Sequence, residues 1–96
     1  MFRIKQLPEF TEWLDSIQDG LTVMRLRKRL RKVTLGNLGD VKPVADGVWE
    51  MREFFGPGWR MYYVQQSEVL IVMLGGGEKS TQQADIAAAV ALSKTL

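Results

Sequence analysis

Two arginines and one lysine, Arg52, Arg60 and Lys79, punctuate three otherwise apolar segments between Trp49 and Gln82. Burying an unpaired guanidinium is costly. Each arginine is therefore either paired with a neighbouring carboxylate, Glu50 or Glu53, or displayed on an open sheet face for an anion. Histidine and cysteine are both absent. That excludes the commonest general base near neutral pH, a thiol nucleophile, a disulfide framework and a zinc cluster. Acid–base chemistry falls to Arg, Lys, Tyr, Asp or Glu.

A second cationic feature lies upstream. Residues 21–34 carry Arg25, Arg27, Lys28, Arg29, Arg31 and Lys32 with no acid, although the whole chain has a net charge of only +2. Such a run often serves as a solvated face, but six cations without an acid exceed what solubility needs and form the electrostatic footprint of a polyanion binder. Gly75-Gly76-Gly77 invites a phosphate-loop reading, yet neither the Walker spacing nor the dinucleotide fingerprint is present. It reads as a flexible strand-to-helix turn beside Lys79, with free N–H groups at a helix N-terminus where a phosphate could sit. The carboxylates Asp15, Asp19, Glu50 and Glu53 read as surface solvation, and Trp13, Trp59, Tyr62 and Tyr63 as core or core edge.

Positioning these residues requires a sheet and helices. Phe2 to Gln6 alternates as a half-buried strand. Pro8 opens a helix whose stripe is Phe10, Trp13, Leu14 and Ile17, and Asp19-Gly20 is expected to end it. Leu21 to Leu35 is a basic amphipathic helix with Val23, Leu26, Leu30 and Val33 on one face, so the two helices form a hairpin. Val41 to Val44 is a short strand confined to an edge by Pro43. Asp46-Gly47 is a tight turn. Val48 to Phe55 and Trp59 to Gln66 form strands joined by Gly56-Pro57-Gly58, and loop register decides whether Arg52 and Arg60 share a face. Val69 to Leu74 is a buried strand. Ser80 and Gln83 have the form of a capping box opening an alanine-rich helix from Thr81 to about Lys94. The expected fold is α+β: a strand, a helical hairpin, an antiparallel three- to four-stranded meander and a C-terminal helix.

Ninety-six residues make one domain, residues 1–96, with room for one modest core. The composition, 46% apolar and 25% charged, is that of a globular chain. No window approaches the roughly 18 to 20 apolar residues of a membrane span, and no signal-peptide run is present, so a cytoplasmic location is expected.

Four segments together resemble the addiction-module killer family of the RelE/ParE toxin superfamily, close to HigB-like toxins and related phage proteins. They are Gly36-Asn37-Leu38-Gly39-Asp40-Val41-Lys42-Pro43-Val44, Glu50-Met51-Arg52, Gly56-Pro57-Gly58-Trp59-Arg60-Met61-Tyr62-Tyr63 and Gly75-Gly76-Gly77-Glu78-Lys79-Ser80-Thr81-Gln82. The resemblance runs almost the whole chain in order and rests on the four motifs jointly.

The resemblance implies a RelE-like toxin of a type II toxin–antitoxin module that cleaves mRNA on the ribosome without metal or cofactor. Arg60 matches the arginine that follows a Gly-aromatic pair on the hairpin's second strand of RelE-like members. Lys79 matches a basic residue before their last helix, and Arg52 an arginine on the preceding strand. The sequence departs where Glu50 stands in place of strand lysines and Asp85 near the position of a helix tyrosine. Implied roles are a phosphate clamp for Arg52 and Arg60, and charge stabilisation or leaving-group protonation for Lys79. Arg25, Lys28, Arg29, Arg31 and Lys32 would dock on ribosomal RNA. The implied partners are the ribosome, mRNA and an antitoxin of helix-turn-helix type. ParE-like members act on DNA gyrase and lack the cleavage residues, so a non-catalytic toxin or an inactive phage-derived homologue is the alternative.

Overall fold

Strand alternation builds the centre of the molecule, which the computed structural model describes over all 96 residues. β1 (Arg3–Gln6), β2 (Val41–Ala45), β3 (Val48–Glu53), β4 (Trp59–Gln65) and β5 (Leu70–Glu78) form one sheet in the order β1-β5-β4-β3-β2. β2 to β5 are an antiparallel meander, and β1 adds parallel to β5, so the sheet is mixed. Asp46 and Gly47, at φ 48° and 81°, make the β2–β3 turn, where glycine accepts the left-handed conformation freely.

The period of two sends alternate residues to opposite faces. On one face Met51, Met61, Tyr63, Ile71 and Met73 meet α1 (Pro8–Ser16) and α2 (Gly20–Thr34) through Phe10, Leu14, Leu26, Leu30 and Val33. On the other, Val48, Tyr62, Val72 and Leu74 pack under Ala89 of α3 (Gln82–Ser93). No helix is long and apolar enough to cross a membrane. The α+β class and the C-terminal helix match expectation.

Three local expectations are corrected. Asp19-Gly20 does not close α1, which stops at Ser16; Asp19 instead caps α2, accepting from the Leu21 N–H and, at 2.7 Å, from the Thr22 hydroxyl. Gly75-Gly76-Gly77 is not a turn but the continuation of β5. A Cβ at Gly76 would collide with the Trp13 ring and one at Gly77 with the Asp85 carboxylate, so glycine is what lets α1 and α3 approach this strand. The capping box of Ser80 and Gln83 does not form: a 3-10 turn over Lys79–Thr81 leads into α3 without a side-chain cap.

Candidate functional site

Register brings the two arginines together. Arg52 and Arg60 are direct cross-strand partners in the β3–β4 hairpin, on the face that α3 covers in part. Their Cζ atoms each lie 5.4 Å from the centroid of Phe54, a ring 70% exposed at the hairpin loop. An exposed phenyl ring with two guanidiniums against it is held by cation–π attraction. Lys79 joins them through Gly58, whose carbonyl accepts the Lys79 N–H at 2.8 Å. Gly58 sits at φ 82°, and a Cβ there would lie 3.3 Å from Lys79 Cβ and 3.6 Å from Arg60 Nη1. The lysine stem and the Arg60 guanidinium thus flank one glycine that a larger residue would crowd.

Both arginines have acidic partners. Arg52 Nη2 donates to Asp40 Oδ1 at 2.8 Å across the β2–β3 hairpin. That bond holds the Asp40 carboxyl below the usual range and raises Arg52 in turn. The tie is complete at neutral pH and is released only as pH falls through the depressed carboxyl pKa. Arg60 is 5% exposed and its Nε faces Glu50 Oε1 at 3.9 Å, too far for a hydrogen bond. Glu50 is 1% exposed, and its other oxygen accepts from Gln82 Nε2 at 2.9 Å. The surface-solvation reading of Glu50 is therefore corrected: β3 alternation points it inward under α3. Tyr62, fully buried beside this group, has a phenol pushed well above its usual range by burial first and then by Glu50 and Asp85. Asp85 itself accepts from Thr81 Oγ1 at 2.6 Å.

The basic helix divides. Arg25, Lys28 and Lys32 are exposed and line one shallow depression with Arg29 and Glu53. Arg31 is exposed but lies outside it, and Arg27 faces Asp15 at 3.7 Å. Arg29 is the correction: only 8% exposed, it is a structural hub rather than an RNA contact. Its Nε and Nη2 donate to Leu38 O, Nη2 also to Asp40 O at 2.7 Å, and Nη1 to Arg52 O at 2.9 Å and to Glu53. All five guanidinium hydrogens are thereby used, and Glu53 too is not a solvation residue. The spacing carried this signal, since Arg29 falls three after Leu26 and four before Val33, on the apolar stripe itself.

Phe54 and Phe55 connect the two cationic regions. Arg25 Cζ lies 4.7 Å from the Phe55 centroid, while Arg52 and Arg60 contact Phe54. Two adjacent phenyl rings thus hold a guanidinium of α2 on one side of the hairpin and the arginine pair on the other. Asp40, Glu50, Phe54, Gly58 and Gln82 complete the site and were not singled out as site residues in the sequence. No protein-family model matches the chain. It is 37% identical over 94 residues to an uncharacterized protein of Haemophilus influenzae strain Rd, a match covering 98% of this chain and 95% of that one, and it belongs to that protein's family.

Proposed function

We propose that the protein is the toxin of a type II toxin–antitoxin module and cleaves mRNA on the ribosome as a metal-independent endoribonuclease. The observation that carries this reading is the cross-strand pairing of Arg52 with Arg60, with the Lys79 backbone held against the intervening Gly58. Two guanidiniums pack against the one exposed Phe54 ring, Arg52 part-exposed and Arg60 almost wholly buried behind it. They suit a phosphate that displaces the ring, and their charge stabilises the pentacovalent state of an in-line displacement. The 2′-oxygen bonds to phosphorus as the bond to the 5′-oxygen breaks, and Lys79 gives the leaving oxygen its proton. The 2′ proton passes to a water molecule. Arg25, Lys28, Lys32 and the exposed Arg31 dock the protein on ribosomal RNA. A small antitoxin of helix-turn-helix type is its partner.

Induced expression of the wild type should arrest growth and yield mRNA ends phased to codons. Arg60→Ala should abolish both, with a loss of at least about 100-fold in cleavage. Since it leaves the buried Glu50 without its opposite charge, it should also lower the melting temperature, so cleavage is compared at a temperature where circular dichroism shows the variant folded. Undiminished toxicity of that variant would remove Arg60 from the mechanism. A second reading, a non-catalytic toxin directed at gyrase or an inactive phage-derived homologue, is favoured by one observation: Arg52 and Arg60 each face a carboxylate, Asp40 and Glu50. DNA damage with intact message would select it.

A further inference from the structure

Glu50 stands at the closure of a ring of contacts. Its Oε1 faces Arg60 Nε at 3.9 Å, and that Nε is buried with no hydrogen-bond partner. Its Oε2 accepts from Gln82 at 2.9 Å. Gln82 is the first residue of α3 and directly follows the 3-10 turn that carries Lys79. The Lys79 N–H returns to Gly58 O, two residues before Arg60. A single enclosed carboxylate thus links the Arg60 guanidinium to the turn holding the lysine.

We infer that Glu50, steadied by Gln82, is a positioning residue that orients the Arg60 guanidinium toward its phosphate and sets its spacing from Lys79. A carboxylate buried to this degree needs compensation. Gln82 supplies one hydrogen bond and Arg60 the opposite charge. With Nε drawn toward Glu50 and Nη1 bonded to Trp59 O at 3.2 Å, the guanidinium is restrained in one orientation. Preorganised charge of this kind is what a developing phosphorane requires. The inference rests on the nuclease reading for its chemistry, while the positioning itself is measurable without cleavage.

The test compares wild type, Glu50→Gln, Arg60→Ala and the double variant in ribosome-dependent cleavage, with melting temperature checking the fold. Glu50→Gln keeps the shape and the bond to Gln82 but removes the charge. Its kcat should fall about 10- to 100-fold, the loss typical of removing an orienting outer partner, with KM changed less than about twofold. The double variant should be no slower than Arg60→Ala alone, because Glu50 acts only through Arg60. Additive losses would overturn the inference. If Glu50→Gln does not fold, Gln82→Ala is read by the same criteria. If the wild type leaves message intact, the nuclease reading fails, and phosphate decides the positioning separately. The Arg60 side-chain Nε resonance, assigned by its loss in Arg60→Ala, is then followed during titration with inorganic phosphate. Glu50→Gln should broaden it and weaken the phosphate response at least fivefold; an unchanged resonance and response would overturn the inference.

Discussion

The two faces of the sheet share their strands and differ in almost everything else. Met51, Met61, Tyr63, Ile71 and Met73 meet two helices and form the larger apolar cluster. Their immediate neighbours Glu50, Arg52, Arg60 and Tyr62 turn to the other side, where α3 covers a smaller cluster and the hairpin end carries charge. Stability is thus concentrated on one face and polar chemistry on the other. Adjacent residues of a single strand can therefore serve opposite ends, as Met61 and Tyr62 do.

Substitutions at the two faces should separate these roles. The largest stability loss is expected for Arg29→Met, which leaves Glu53 and the carbonyls of Leu38 and Arg52 without their donor and should cost about 3–5 kcal/mol in urea unfolding. A loss below about 1 kcal/mol would return Arg29 to the exposed cations. Met61→Ala, on the dry face, should cost about 2–5 kcal/mol through the cavity it leaves. The triple change of Arg25, Lys28 and Lys32 to Gln should shift stability by less than about 0.5 kcal/mol. It should also lower the salt slope of RNA binding by about 2, at roughly 0.7 per cation on single strands. An unchanged slope would free α2 from any RNA role.

A small effect of opposite sign belongs to Tyr62, the neighbour of Met61 on the polar face. Its hydroxyl is buried without a partner, so Tyr62→Phe at neutral pH should change stability by less than about 1 kcal/mol, in the stabilising direction. The difference should grow in alkali. Burial holds both Tyr62 and Tyr63 phenols above their usual range. The unfolded chain releases these protons near pH 10 while the folded one keeps them, so stability falls as pH rises past about 10. Removing one of the two phenols should roughly halve that slope in thermal melts. A slope identical to that of the wild type would place the Tyr62 hydroxyl in water.

Much of this arrangement was legible in the chain because it is local. The alternation of β3 and β4, the proline opening α1 and the Asp46-Gly47 turn each follow from a few neighbouring residues. The pairing of Arg52 with Arg60 needed one further fact, the hairpin register, which neighbouring residues alone do not decide. What stayed hidden depends on distant partners. The glycines of β5 look like a loop until Trp13 and Asp85 arrive to occupy the Cβ space. Glu50 looks like a surface acid until α3 delivers Gln82 over it. Arg29 was obscured by its own identity, since its place on the apolar stripe was visible and its charge argued the other way.

The parallel pairing of β1 with β5 also has a consequence in time. Arg3 lies beside Leu70, so β1 has no partner until β5 has been synthesised. Closing so long a loop is entropically costly and slows the search for the native pairing. Gln82, which completes the surroundings of Glu50, emerges later still. A nascent chain therefore carries both arginines long before it can hold them in place. The site can close only once the start of α3 has left the ribosome that made it.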